Sequence, residues 1–152
     1  MNFAGLDHIG FAVSDLDRSV EWYTFFLGEP PALRKVWEER YLSRIVGYPG
    51  CRMECALWRL PGGSLLELLH YLEPSPGRVD MESYNAGNAH LCLVTEDIHA
   101  EFARLREHAE FRDPDPVQIP WGPYEGGWAC YLRDPDGISV ELMQLPPGGP
   151  AV

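Results

Sequence analysis

The chain has 152 residues, enough for one compact domain or for two small modules sharing a core, and too few for two large independent domains. With 45% apolar residues, 15 glycines and 14 prolines, it reads as a globular chain that turns often, neither disordered nor a coiled coil. Twelve basic against 23 acidic side chains give a formal charge of −11, which repels phosphate backbones and anionic lipid surfaces and argues against nucleic acid or a membrane as partner.

No run approaches the roughly 18 consecutive apolar residues of a membrane span, and the start, MNFAGLDHIGF, lacks the basic and long apolar regions of a secretory signal. A cytoplasmic protein acting on a small molecule is the expectation. The charge is uneven: residues 1–78 hold eight basic and ten acidic side chains, residues 79–152 four and thirteen, so an anionic substrate would meet the first half more readily. Cys51, Cys55, Cys92 and Cys130 offer one C-x3-C spacing but no second pair for a zinc knuckle, and are expected to be reduced and mostly buried.

In chain order, LDHIGFAV alternates as a half-buried strand, and SDLDRSVEWYTFFLG follows with an acidic start, helical apolar spacing and a glycine stop. ALRKVW is a further strand, and ERYLSRIVGYPG is a loop or an extra short helix. MECALWRL and SLLELLHYL, joined by PGG, form a hairpin. EPSPGRVDMESYNAG is a linker. From Asn88 the order repeats: NAHLCLVTEDIHAEFARLREH gives strand and helix, DPVQIPWG a strand, and WACYLRDPDGISVELMQL a hairpin whose DPDG turn answers LPGG. PPGGPAV is a fraying tail.

Both halves thus read β-α-β-β-β, with module one at about 1–72, the linker at about 73–87 and module two at about 88–146. Each is too small to bury a good core alone. The expected fold is α+β, two paired βαβββ modules forming curved mixed sheets around a cleft.

One imidazole and one carboxylate recur in each half. His8 and His90 lie in matching first strands, 82 positions apart, and Glu67 and Glu141 in matching last strands, 74 apart. The difference of eight is absorbed by a longer stretch around YLSRIVGY. On its strand Glu67 points with Leu65 and Leu69 while His70 points the other way. A carboxylate among leucines on a core strand must be paired, hydrogen-bonded or bound to metal. Two imidazoles and two carboxylates make an N2O2 set suited to Ni, Co, Zn, Mn or Fe with positions open to substrate oxygen, hence one divalent metal ion per site.

Around these residues the chain resembles the vicinal oxygen chelate superfamily, which includes glyoxalases, methylmalonyl-CoA epimerases, extradiol dioxygenases and bleomycin resistance proteins. LDHIGFAVSDLDRSVEWYTFFLG is similar to that family's opening, GNAHLCLVTEDIHAEFARL to its second-module opening, and YLRDPDGISVELMQ to its closing hairpin. The resemblance implies paired βαβββ modules, metal ligation by His8, Glu67, His90 and Glu141, and a homodimer, with the four ligands drawn from one chain or from two. Bacterial glyoxalases usually place an Arg four residues beyond the first histidine, where Ala12 stands, which argues against glutathione as cosubstrate. Methylmalonyl-CoA epimerases commonly have Gln where Glu67 stands, and extradiol dioxygenases generally leave that position without a ligand.

The implied chemistry is a metal-dependent lyase or isomerase working through an enediolate or enolate, with Glu67 or Glu141 moving the proton. An iron-dependent ring-cleaving dioxygenase is one alternative, and a protein that sequesters an antibiotic or metabolite is another. Aligning DPDG with LPGG pairs Ala56 with Glu67 and Cys130 with Glu141. That register puts Glu54, Trp58, Trp128 and Leu132 on the cavity side, with Glu54 as a third candidate base. Trp121, Tyr124 and Trp128 border the Gly-rich loop WGPYEGGW and are, with Trp58, candidate substrate contacts. Arg34, Lys35, Arg40 and Arg44 are read as a solvated charged face.

Overall fold

The computed structural model describes residues 2–150; the last two residues of the tail, 151 and 152, lie outside the described residues. The chain divides into two compact units, residues 1–79 and 80–152.

The first unit opens with β1 (His8–Ala12), where Phe11 is buried while His8, Gly10 and Ala12 are exposed. Asp15 then caps α1 (Leu16–Leu27) by accepting from the Arg18 amide at 3.0 Å. Gly28, at φ 79°, ends the helix and donates its amide to the Thr24 carbonyl. α1 buries Leu16, Ser19, Tyr23 and Phe26, one face at helical spacing, and packs on the two strands that follow as a hairpin.

Those are β3 (Arg52–Arg59) and β4 (Leu65–Glu73), after β2 (Leu33–Trp37). The sheet runs β1-β4-β3-β2, with β1 parallel to β4 and the other pairs antiparallel. Trp58, Leu66 and Leu68 are fully buried on the helix side. Between β2 and β3 the chain forms α2 (Arg40–Val46), so the stretch read as a loop or short helix is a helix. Leu42 of α2 clusters with Cys51 and Met53, and Trp37, Val46, Leu69 and Tyr71 pack against them. By strand register, Met53, Trp37, Leu69 and Tyr71 share the face of Glu67. α2 therefore covers one end of the sheet face opposite α1.

The second unit repeats the plan. β5 (His90–Val94) leads to α3 (Ile98–Leu105), capped by Asp97 onto the Ala100 amide at 3.0 Å. α3 buries Ile98, Phe102 and Leu105, and the Ile98 amide donates to Oε1 of Gln144 at 3.0 Å. β8 (Trp128–Arg133) and β9 (Ser139–Gln144) form the hairpin. The strand expected at DPVQIPWG is the short β7 (Val117–Gln118), and a second short strand, β6 (Glu110–Phe111), precedes it; both pair with β8. The order is β5-β9-β8-β6, again with the first pair parallel. The α+β architecture with two mixed sheets is as the sequence implies. Among the described residues no helix is long and apolar enough to cross a membrane.

Candidate functional site

In each unit the candidate ligands stand on the sheet face turned away from its long helix. In the first, the parallel pairing of β1 with β4 sets Gly10 opposite Glu67 and His8 two residues earlier on the same face. Nε2 of His8 lies 3.6 Å from Oε2 of Glu67. The other ring nitrogen, Nδ1, is 2.8 Å from Oδ1 of Asp7. That contact raises the His8 pKa above its ordinary 6.5, opposed by partial burial and assisted by the charges of Glu67 and Asp7.

The second unit places the equivalent groups by the same pairing, Cys92 opposite Glu141 and His90 two residues earlier. Nε2 of His90 is 3.0 Å from Oε2 of Glu141. Across the hairpin, Tyr131 donates its hydroxyl to the same Oε2 at 2.8 Å and lies 3.2 Å from His90 Nε2. Burial, the hydrogen bond to Glu141 and the charge of that carboxylate hold the Tyr131 phenol well above its usual pKa. Partial desolvation of the sulfur and the charge of Glu141 together push the Cys92 thiol up to about 12, so it is protonated at neutral pH.

Two donors sharing one divalent cation lie about 3.0–3.4 Å apart when each is about 2.1 Å from the ion. The His90–Glu141 separation of 3.0 Å falls at the short end of that range, and the His8–Glu67 separation of 3.6 Å lies just beyond its long end. With Nδ1 held by Asp7, Nε2 is the ring nitrogen of His8 turned toward Glu67. Among the described residues no group of three or more His, Cys, Asp or Glu side chains gathers to hold a metal. Each unit by itself thus offers a two-donor pair.

The expected hairpin register is corrected by one residue. Leu57, not Ala56, faces Glu67, and Tyr131, not Cys130, faces Glu141. The loops are Pro61-Gly62-Gly63 and Pro135-Asp136-Gly137, three residues each, closed by Leu60 N–H to Ser64 O at 2.8 Å and Asp134 N–H to Ile138 O at 3.0 Å. A one-residue slip turns every side chain of β3 and β8 to the other face. Glu54 and Trp58 therefore stand on the α1 side, away from Glu67, where Glu54 pairs across to His70 and lies 3.9 Å from Arg34. Trp128 and Leu132 likewise turn away from Glu141: Leu132 is fully buried, and Trp128 meets the His99 ring of α3 edge-on at 4.7 Å.

The correction brings in Tyr131, which sequence reasoning had left out of the site. Its only signal was its place in the hairpin, which a three-residue loop would have turned toward Glu141. Trp121 is 79% exposed, and the loop around it and Tyr124 is closed by hydrogen bonds between Ile119 and Gly126 and Gly127. Arg34 pairs with Asp17, and Lys35 with Glu39, while Arg40 and Arg44 line a shallow surface pocket with Ser43 and Arg52. Cys51, Cys55 and Cys130 are buried and Cys92 is exposed, all as free thiols.

A family model described as the Glyoxalase/Bleomycin resistance protein/Dioxygenase superfamily matches residues 5–142. The chain is 30% identical over 147 residues to a 2-epi-5-epi-valiolone epimerase of Actinomyces sp, covering 94% of this chain and 80% of that protein. It is 27% identical over 146 residues to a lactoylglutathione lyase of Arabidopsis thaliana, covering 92% of this chain but only 44% of the longer plant protein. A glyoxalase family protein from Bacillus cereus shares the fold with a TM-score of 0.79 at 23% identity, over 96% of this chain and 97% of that one.

Proposed function

The chain belongs to the glyoxalase/bleomycin resistance protein/dioxygenase superfamily, and from that premise we propose that it is a metal-dependent lyase or isomerase of a small substrate with vicinal oxygens. The observation that carries the reading is the matched His–Glu pair on adjacent strands of both units, with the imidazole and carboxylate 3.6 and 3.0 Å apart. In this proposal His8, Glu67, His90 and Glu141 hold one divalent ion, Ni, Co, Zn, Mn or Fe, and the active form is a homodimer. Relatives named as a lyase and an epimerase support a lyase or isomerase at the family level.

A bound divalent cation supplies a Lewis acid that favours negative charge on a substrate oxygen. The chain's own part is proton movement. A carboxylate, Glu67 or Glu141, takes the proton from the carbon beside the carbonyl, the C–H electron pair passes toward that carbonyl as an enediolate, and the proton returns to the neighbouring carbon. Asp7 orients His8 and Tyr131 orients Glu141, so the donors keep their geometry through the step. Glu67 separates this reading from ring cleavage, for which a two-histidine, one-carboxylate set suffices.

The test is exchange in D2O. Zinc-loaded protein should place deuterium on the carbons beside the carbonyl of dihydroxyacetone, and metal-free protein should not. Oxygen uptake with catechol under Fe(II) would instead assign ring cleavage, and tight retention of an unaltered aromatic ligand would assign sequestration.

A further inference from the structure

Three arginines of the first unit meet around one cavity. Arg40 and Arg44 stand one turn apart on α2, and with Ser43, Arg52 and Glu38 they line an open cavity of about 570 Å³ between that helix and the chain entering β3. Arg52 is neutralised by Glu38 at 3.0 Å, and Glu39, next to Arg40 in the chain, is taken by Lys35 at 3.1 Å. Among the described residues Arg40 and Arg44 have no hydrogen-bonded or ion-paired partner. Like charges at this spacing disfavour a helix, and α2 spans seven residues with no side-chain cap to offset them. The two guanidiniums are thus kept uncompensated in a chain whose formal charge is −11.

Ser43 adds a donor. Its Oγ accepts the Cys51 amide at 3.0 Å, which holds the oxygen at the wall of the cavity and leaves its O–H free to donate. Arg40 and Arg44 also border smaller depressions that include the exposed Tyr41 and Ile45.

From this arrangement we propose that the cavity is a binding site for a phosphate monoester whose ester group is apolar or aromatic. Two uncompensated guanidiniums match a dianion, whereas a single carboxylate would leave one of them unpaired. Each planar fork can donate two parallel N–H bonds to phosphate oxygens, and the Ser43 hydroxyl supplies a further one. Tyr41 and Ile45 offer the ester group an apolar surface beside the charge. The site uses none of His8, Glu67, His90 and Glu141, so it stands independently of the proposed reaction.

The test uses the full chain free of metal, so that no cation at the His–Glu pairs can take the anion. Phenyl phosphate, inorganic phosphate and acetate are titrated by calorimetry in low salt at about pH 8, where a phosphate monoester is a dianion. Amide resonances are followed by NMR. Phenyl phosphate should bind more tightly than inorganic phosphate, with acetate weakest, and should shift the amides of residues 40–52. Arg40→Gln and Arg44→Gln should each weaken it about tenfold, and added salt should weaken it as well. The thermal midpoints of these ligand-free variants should equal or exceed that of wild type, because the repulsion along α2 is relieved. Arg59→Gln removes an exposed guanidinium of β3 outside the cavity and should leave affinity unchanged.

No binding of phenyl phosphate, or an equal loss in Arg59→Gln, overturns the site. Amide shifts centred on His8 or His90 instead of α2 do the same. Acetate binding as tightly as inorganic phosphate overturns the match to a dianion, and equal affinity for inorganic phosphate and phenyl phosphate overturns the ester assignment.

Discussion

Asp7 holds Nδ1 of His8 at 2.8 Å, and the opposite ring nitrogen faces Glu67 at 3.6 Å. Both contacts favour the charged imidazole, so in metal-free protein His8 should titrate above 6.5, and Asp7→Asn should bring it back toward that value. A raised folded-state pKa means the contact's contribution to stability is complete below pH 6.5 and disappears as pH rises through the folded value. The ring is half exposed, so the contribution is small. Proton and cation compete for Nε2, so metal affinity should fall as pH drops through the same range. Proton NMR of the His8 ring in wild type and Asp7→Asn checks this; an identical titration in both contradicts it.

Asp134 should prove a keystone of the second hairpin. It is 5% exposed, and its Oδ1 accepts the amides of Asp136 at 2.9 Å and Ile138 at 2.8 Å, fixing the three-residue loop that sets the register of β8. Asp134→Ala leaves those amides to find water and should cost about 1–3 kcal/mol in urea unfolding. Because the loop aims Tyr131 at Glu141, zinc affinity should fall as well. Asp134→Asn, which keeps an acceptor oxygen, should recover part of both losses.

Trp58 behaves as core in this register. It is fully buried, its ring centroid is 6.0 Å from that of Tyr23, and its indole N–H donates to the Glu29 carbonyl at 3.0 Å. Trp58→Ala should cost about 3–5 kcal/mol by leaving a cavity. Trp58→Phe should cost less and leave zinc binding unchanged. A change in zinc affinity with Trp58→Phe would return this side chain to the face of Glu67.

What the sequence disclosed and what it withheld follow from the range of the interactions. Alternation on β4 alone sets Glu67 with Leu65 and Leu69 and turns His70 away, because side-chain period is a local property. The faces of β3 and β8 depended on one residue of loop length. LPGG and DPDG suit a four-residue turn by composition, yet Gly63 at φ 97° and Gly137 at φ 84° close three-residue loops instead. That single residue hid Tyr131 and misplaced Glu54, Trp58, Trp128 and Leu132.

α2 was ambiguous for another reason. Its N-cap residue, Glu39, makes no side-chain capping bond, and Tyr41 and Ile45 are exposed apolar residues that blur its amphipathic pattern. Leu42 and Val46 pack it against Cys51, Met53, Trp37, Leu69 and Tyr71. β6 spans two residues, too short for any period to register.

If the His–Glu pairs share a cation, zinc at a hundredfold excess over its dissociation constant should raise stability by about 2.7 kcal/mol, and a chelator should remove that increment. The most direct measurement is the stoichiometry of zinc on purified protein, taken alongside His8→Ala, Glu67→Gln, His90→Ala and Glu141→Gln. The account predicts one ion per chain, weakened by each of the four substitutions. No bound zinc would contradict it, and so would two ions per chain, one lost only with His8 or Glu67 and the other only with His90 or Glu141.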